Sequence, residues 1–67
     1  MKHDITVRIG EGLMGRIRAL RRKLMLETGR ELSKAAVMRL LLFLGLREAE
    51  KKAPEALVAL AEREDLL

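Results

Sequence analysis

The sequence predicts a mainly α fold with one short β-strand, built as a homodimer and ending in a short third helix. Its only sheet would be a two-stranded ribbon, one strand from each chain. Three observations lead there. Residues 2–9, Lys-His-Asp-Ile-Thr-Val-Arg-Ile, alternate polar and apolar; a basic amphipathic helix pattern follows; and a segment apolar on nearly every side comes next. A lone short strand has no partner within its own chain, so a second copy must supply one.

The strand rests on clean period-2 alternation with β-branched Ile5, Thr6, Val7 and Ile9. Alternation puts Ile5, Val7 and Ile9 on a face turned to a core, and Asp4, Thr6 and Arg8 on the opposite face. His3 shares the core-side parity at the end of the segment, where packing or solvation accounts for it. Gly10 ends the strand and caps the next element, although Ser, Asp or Asn would cap better.

The first helix is expected from about Glu11 to Thr28. Leu13, Ile17, Leu20 and Leu24 recur at helical spacing along one side, widened by Met14 and Met25. Arg16, Arg18, Arg21, Arg22 and Lys23 cover most of the remainder, and a solvated basic face is their simplest account. Gly12 and Gly15 weaken the opening turns by something like 1 kcal/mol each relative to Ala. Gly29 suits the left-handed position that closes a helix.

Arg30, Glu31 and Leu32 form the turn, and Ser33 is the natural N-cap of the second helix. That helix contains Ala36, Val37, Met38, Leu40, Leu41, Leu42, Phe43 and Leu44. A helix apolar all round must be buried on most sides, and one neighbouring helix cannot cover it. A second subunit is the expected cover. Gly45 either ends this helix or is tolerated within it, and Arg47 to Lys52 read as an exposed charged extension. Pro54 occupies a first helical position, and Glu55 to Asp65 form the third helix with Leu57, Leu60 and Ala61 on one side.

Composition narrows the function. A chain of 67 residues makes one domain at most, marginal when it folds alone, and it has no cysteine for disulfides. No His, Cys and carboxylate cluster suggests a structural zinc, so neither metal nor cofactor is expected. Apolar residues make up 49% of the chain, enough to supply an oligomer interface. The net charge of +4 is unevenly spread: residues 1–34 hold nine Lys or Arg against four Asp or Glu, and residues 35–67 hold five against six. A basic front and neutral rear favour a polyanionic partner, nucleic acid before membrane. The longest apolar run, Ala35 to Leu46, is interrupted by Arg39 and falls well short of the roughly 20 residues that cross a bilayer. No signal peptide is recognisable, and a cytoplasmic location is expected. Catalysis is not expected, because no nucleophile–base pair or metal set stands out.

Strand, basic helix, glycine turn and Ser-capped apolar helix, in that order, resemble the ribbon-helix-helix (MetJ/Arc/CopG-type) family of small DNA-binding repressors. The resemblance covers about residues 3–46, and its most specific parts are Asp4-Ile5-Thr6-Val7-Arg8-Ile9 and Leu32-Ser33-Lys34-Ala35-Ala36. The first helix is longer than the family pattern, and the turn before Ser33 carries extra residues. Domain boundaries follow: residues 1–46 for DNA binding and dimerisation, residues 47–67 as a charged extension with a short helix.

The resemblance implies an intertwined homodimer whose antiparallel two-stranded ribbon enters the major groove of a palindromic operator, with Asp4, Thr6 and Arg8 against base edges. An ordinary wet strand face is the alternative for these three. Arg8 can give guanine two hydrogen bonds, and Thr6 can bond a base or meet a thymine methyl. A two-fold axis near Thr6 would set Asp4 opposite Arg8 of the other chain, where it could aim the guanidinium. Lys2 can reach a phosphate. In the resembled family the start of the second helix grips a DNA phosphate, which here implicates Ser33, Lys34 and Ala35; a plain helix cap is the alternative. The dimer core would comprise Ile5, Val7, Ile9, Leu13, Ile17, Leu20, Val37, Leu40, Leu41 and Leu44.

The leading functional expectation is a homodimeric, sequence-specific double-stranded-DNA-binding regulator, a repressor, with adjacent dimers assembling on DNA. A second keeps the DNA-binding half and makes residues 53–67 the toxin-binding segment of an antitoxin. A third drops DNA for a helical oligomerisation module whose basic helix docks on membrane or acidic protein.

Overall fold

A computed structural model describes residues 6–67 and contains three helices: α1, Glu11–Thr28; α2, Lys34–Ala49; and α3, Pro54–Arg63. The expected strand is corrected. Among the described residues there is no strand, and residues 6–9 ahead of α1 carry no regular secondary structure. The physical reason is the one that made a lone strand suspect. A strand exists through its ladder, and the single chain offers residues 6–9 no second extended segment to pair with. Lys2, His3, Asp4 and Ile5 lie outside the described residues.

The chain divides into two compact units, Met1–Val37 and Met38–Leu67. In the first, α1 opens at Gly10, whose extended backbone (φ −65°, ψ 156°) lacks a side-chain cap but whose carbonyl accepts from Met14 N–H at 3.0 Å. Glu11 stands in the first turn, where its charge suits the helix dipole. Gly29 closes the helix at φ 70°, the left-handed region that favours glycine, and donates to the Met25 carbonyl at 3.0 Å. Thr28 adds a second lock: its Oγ1 donates to the Leu24 carbonyl at 2.6 Å and accepts from Arg30 N–H at 3.2 Å.

Ser33 caps α2 as the sequence suggested. Its Oγ accepts from Ala36 N–H at 3.0 Å, and its carbonyl starts the helical ladder by accepting from Val37 N–H at 3.2 Å. The two buried side chains of the described residues are both in this unit: Ile17, 7% exposed, and Val37, 1%. Of the other apolar positions on the α1 stripe, Leu20 and Leu24 are half-buried and Leu13 is exposed.

In the second unit α2 runs through Gly45 to Ala49. A Cβ built on Gly45 would meet nothing within 4 Å, so no close approach within the chain demands glycine there. The expected charged extension therefore begins as helix. Bonds from Lys51 N–H to the Glu48 carbonyl and from Lys52 N–H to the Ala49 carbonyl unwind it. Ala53 precedes α3 in extended geometry, and Pro54 takes the first turn, where its missing N–H is not needed. The third helix stops two residues before the expected Asp65. There Asp65 is left-handed (φ 56°); it donates to the Glu62 carbonyl at 3.1 Å, and Leu66 donates to the Ala61 carbonyl at 2.8 Å. That pair of bonds is the Schellman closure, formed without glycine.

Burial is thin in this unit. No residue of α3 is buried, and α2 leaves Leu42 69%, Phe43 59% and Leu46 60% exposed. One chain by itself leaves this side of α2 uncovered.

Candidate nucleic-acid interface

Most of the groups suited to a polyanion lie in the first unit. Arg8, Arg16, Arg18, Arg22, Lys23, Arg30 and Lys34 are exposed, and Arg21 is half-buried. On α1 the cations flank the apolar stripe. Arg18 and Arg22 stand one turn apart on one side, while Arg16 and Lys23 share another, two turns apart. Glu11 pairs with Arg18 at 3.2 Å, with the two side chains 51% and 89% exposed. So wet a pair contributes little and leaves the guanidinium available to another anion.

The beginning of α2 is the most defined part of the site. Ser33 Oγ engages Ala36 N–H, which leaves the amides of Lys34 and Ala35 in the first turn without an intrahelical acceptor. Both residues are exposed, as is Ser33. Open amides, the positive end of the helix dipole and the Lys34 ammonium make this end favourable for an oxyanion.

Arg21, which the sequence groups with Arg16, Arg18, Arg22 and Lys23 on a solvated basic face, has a structural bond. Its Nε donates to the carbonyl of Leu32 at 2.7 Å, tying the middle of α1 to the residue just before the Ser33 cap. One turn beyond buried Ile17, Arg21 sits at the border of the apolar stripe, so its stem can lie along the core while its head bonds the turn. That border position was the available signal. The turn's need for a donor became visible only once the turn was folded.

The expected base-reading residues fare unevenly. Thr6 and Arg8 are exposed on the irregular segment before α1, Val7 is also exposed, and Ile9 is half-buried. Among the described residues no hydrogen bond or ion pair joins Thr6 or Arg8 to Ser33, Lys34 or Ala35. Of the expected dimer-core residues, Ile17 and Val37 are buried, Leu20 and Leu41 half-buried, and Leu13, Leu40 and Leu44 exposed. Asp4, Lys2 and Ile5 are outside the described residues.

No group of three or more His, Cys, Asp or Glu that could hold a metal occurs among the described residues, and no helix there is long and apolar enough to cross a membrane. No family model, curated protein or solved structure matches the chain, so the likeness to ribbon-helix-helix repressors rests on the residues quoted for it alone.

Proposed function

We propose that this protein is a double-stranded-DNA-binding transcriptional regulator that acts as a homodimer in the cytoplasm, a binding protein rather than a catalyst. The observation that carries the reading is the concentration of exposed cations in the first unit, together with an open helix start that suits a phosphate. Nine of the 14 Lys and Arg residues lie within residues 1–34. Backbone phosphates are the polyanion that such a distributed set of cations fits, because each neutralised phosphate releases a bound counterion.

In this reading Ser33, Lys34 and Ala35 hold one phosphate and set the orientation, Arg18 and Arg22 approach the backbone, and Arg8 and Thr6 reach base edges. Thr6 and Arg8 act as an irregular arm ahead of α1, not as part of a pleated ribbon. The homodimer is supported by the exposed apolar side of α2, since two buried side chains among the described residues make a slender core.

Fluorescence anisotropy with a duplex taken from upstream of the gene, set against a scrambled duplex, tests the reading. Affinity for both should fall steeply between 50 and 200 mM salt, by orders of magnitude for several phosphate contacts, with the upstream duplex retained longest. Arg8→Ala should erase most of the preference, roughly tenfold or more, while leaving the weaker binding to scrambled DNA. Duplex affinity that is absent, or insensitive to salt, would refute the assignment.

A further inference from the structure

The geometry points to a specific way for two copies of this chain to meet: the outer face of α2 in one protomer receives the acidic face of α3 from its partner. The proposal deepens the homodimer part of the reading above and rests on it, but not on DNA binding.

Two unpartnered faces in the second unit carry it. On α2, Arg39, Leu42, Phe43, Leu46 and Arg47 project to one side, opposite half-buried Leu41. The three apolar members are the 69%, 59% and 60% exposed side chains already noted. Arg47 stands over the Phe43 ring, 5.6 Å from its centroid. On α3, Glu55, Val58, Ala59 and Glu62 share one side and, with Pro54, line a shallow depression; Val58 is 53% exposed.

The faces are complementary in charge, shape and spacing. One offers an apolar middle between two cations, and the other a small apolar middle between two anions. At 1.5 Å per residue, Arg39 and Arg47 are about 12 Å apart along their axis, and Glu55 and Glu62 about 10 Å along theirs. The bulky Leu42, Phe43 and Leu46 have the shallow patch at Val58 and Ala59 to fill. None of the four charges has an ion-pair partner among the described residues, whereas neighbouring Glu48 and Glu64 are paired, with Lys51 at 3.6 Å and Arg63 at 3.9 Å.

Within one chain both faces stay open, with Leu42, Phe43, Leu46 and Val58 all more than half exposed, so a second molecule is needed to supply the acids. Two-fold symmetry then makes the contact twice, α2 on α3 and α3 on α2, which closes the assembly at a dimer. The apolar middles provide the affinity, and the flanking charges select the partner and its register.

Charge reversal tests it in the full-length chain. Arg39→Glu/Arg47→Glu and Glu55→Arg/Glu62→Arg alter only exposed side chains, so circular dichroism should show helicity kept in both. Sedimentation equilibrium should find wild type dimeric and each double variant weakened at least about tenfold, because like charges then face one another twice. An equimolar mixture of the two variants should recover a 1:1 heterodimer near wild-type strength, since both contacts are complementary again. Arg39→Lys/Arg47→Lys should stay dimeric. Wild-type chains that are monomeric at micromolar concentration would overturn both the homodimer reading and this interface. A wild-type dimer indifferent to both reversals, or reversals that mixing does not rescue, would overturn the interface alone and leave the α3 face to a different partner.

Discussion

Val37 is the only side chain of the described residues that is almost fully enclosed, and Val37→Ala measures how much of the fold depends on one chain. At 1% exposure the side chain realises nearly all of its transfer free energy. Val→Ala deletes the equivalent of two methylenes at roughly 0.8 kcal/mol each, and the space left behind raises the loss to about 2 kcal/mol. Domains of this size are marginal, at roughly 0.05–0.15 kcal/mol per residue, so that loss is a large share of the total. The melting temperature should fall by about 8–16 °C, at 4–8 °C per kcal/mol for a small domain. Thermal and urea unfolding by circular dichroism would measure it. Leu42→Ala is the companion, because Leu42 is 69% exposed in the chain. Its effect should be within about 0.5 kcal/mol in the monomer and should grow with protein concentration only if a second copy covers it. A Val37→Ala loss below about 0.5 kcal/mol would refute the view that Ile17 and Val37 hold the first unit together.

Two further substitutions probe helix ends. Ser33→Ala should lower stability by about 1 kcal/mol through loss of the bond to Ala36 N–H. Ser33→Asp should keep the cap yet weaken duplex binding, because a carboxylate then occupies the phosphate's place; unchanged affinity in an anisotropy titration would remove this helix end from the interface. Asp65→Gly should raise stability by roughly 0.5–1 kcal/mol, since Asp65 sits at φ 56° and glycine adopts that conformation without penalty. Any loss in a melt would show that the side chain contributes something beyond closing α3.

The helices were largely legible before folding because their signals are local. The Leu13, Ile17, Leu20, Leu24 stripe, the glycine at 29, the serine at 33 and the proline at 54 each act within a turn or two of the chain, and α1 begins and ends where they place it. Gly45 was ambiguous from sequence because one glycine costs a helix only about 1 kcal/mol, which a long flanking apolar run offsets. The close of α3 was missed for a related reason: aspartate is an uncommon left-handed residue, and the sequence carries no glycine there.

The candidate interface was only partly legible. The helix start at Ser33, Lys34 and Ala35 and the basic excess of residues 1–34 were readable, since they depend on helix polarity and composition, whereas the arginines of α1 read only as a solvated face. The role of Arg21 was not legible, because a bond from α1 to the Leu32 carbonyl spans 11 positions and depends on how the turn folds back. Alternation suggested a strand for residues 2–9, but alternation states only which side chains share a face. Whether the backbone pairs is a question of partners.

Where each helix runs, and which of its sides is apolar, follows from periodicity and end signals that act over a few residues and were readable in the chain alone. Which side chains are enclosed, that Arg21 bonds the turn, and that Leu42, Phe43 and Leu46 remain uncovered came only with three-dimensional packing. Burial and long-range hydrogen bonds are properties of surfaces brought together, and no local pattern specifies which surfaces those are.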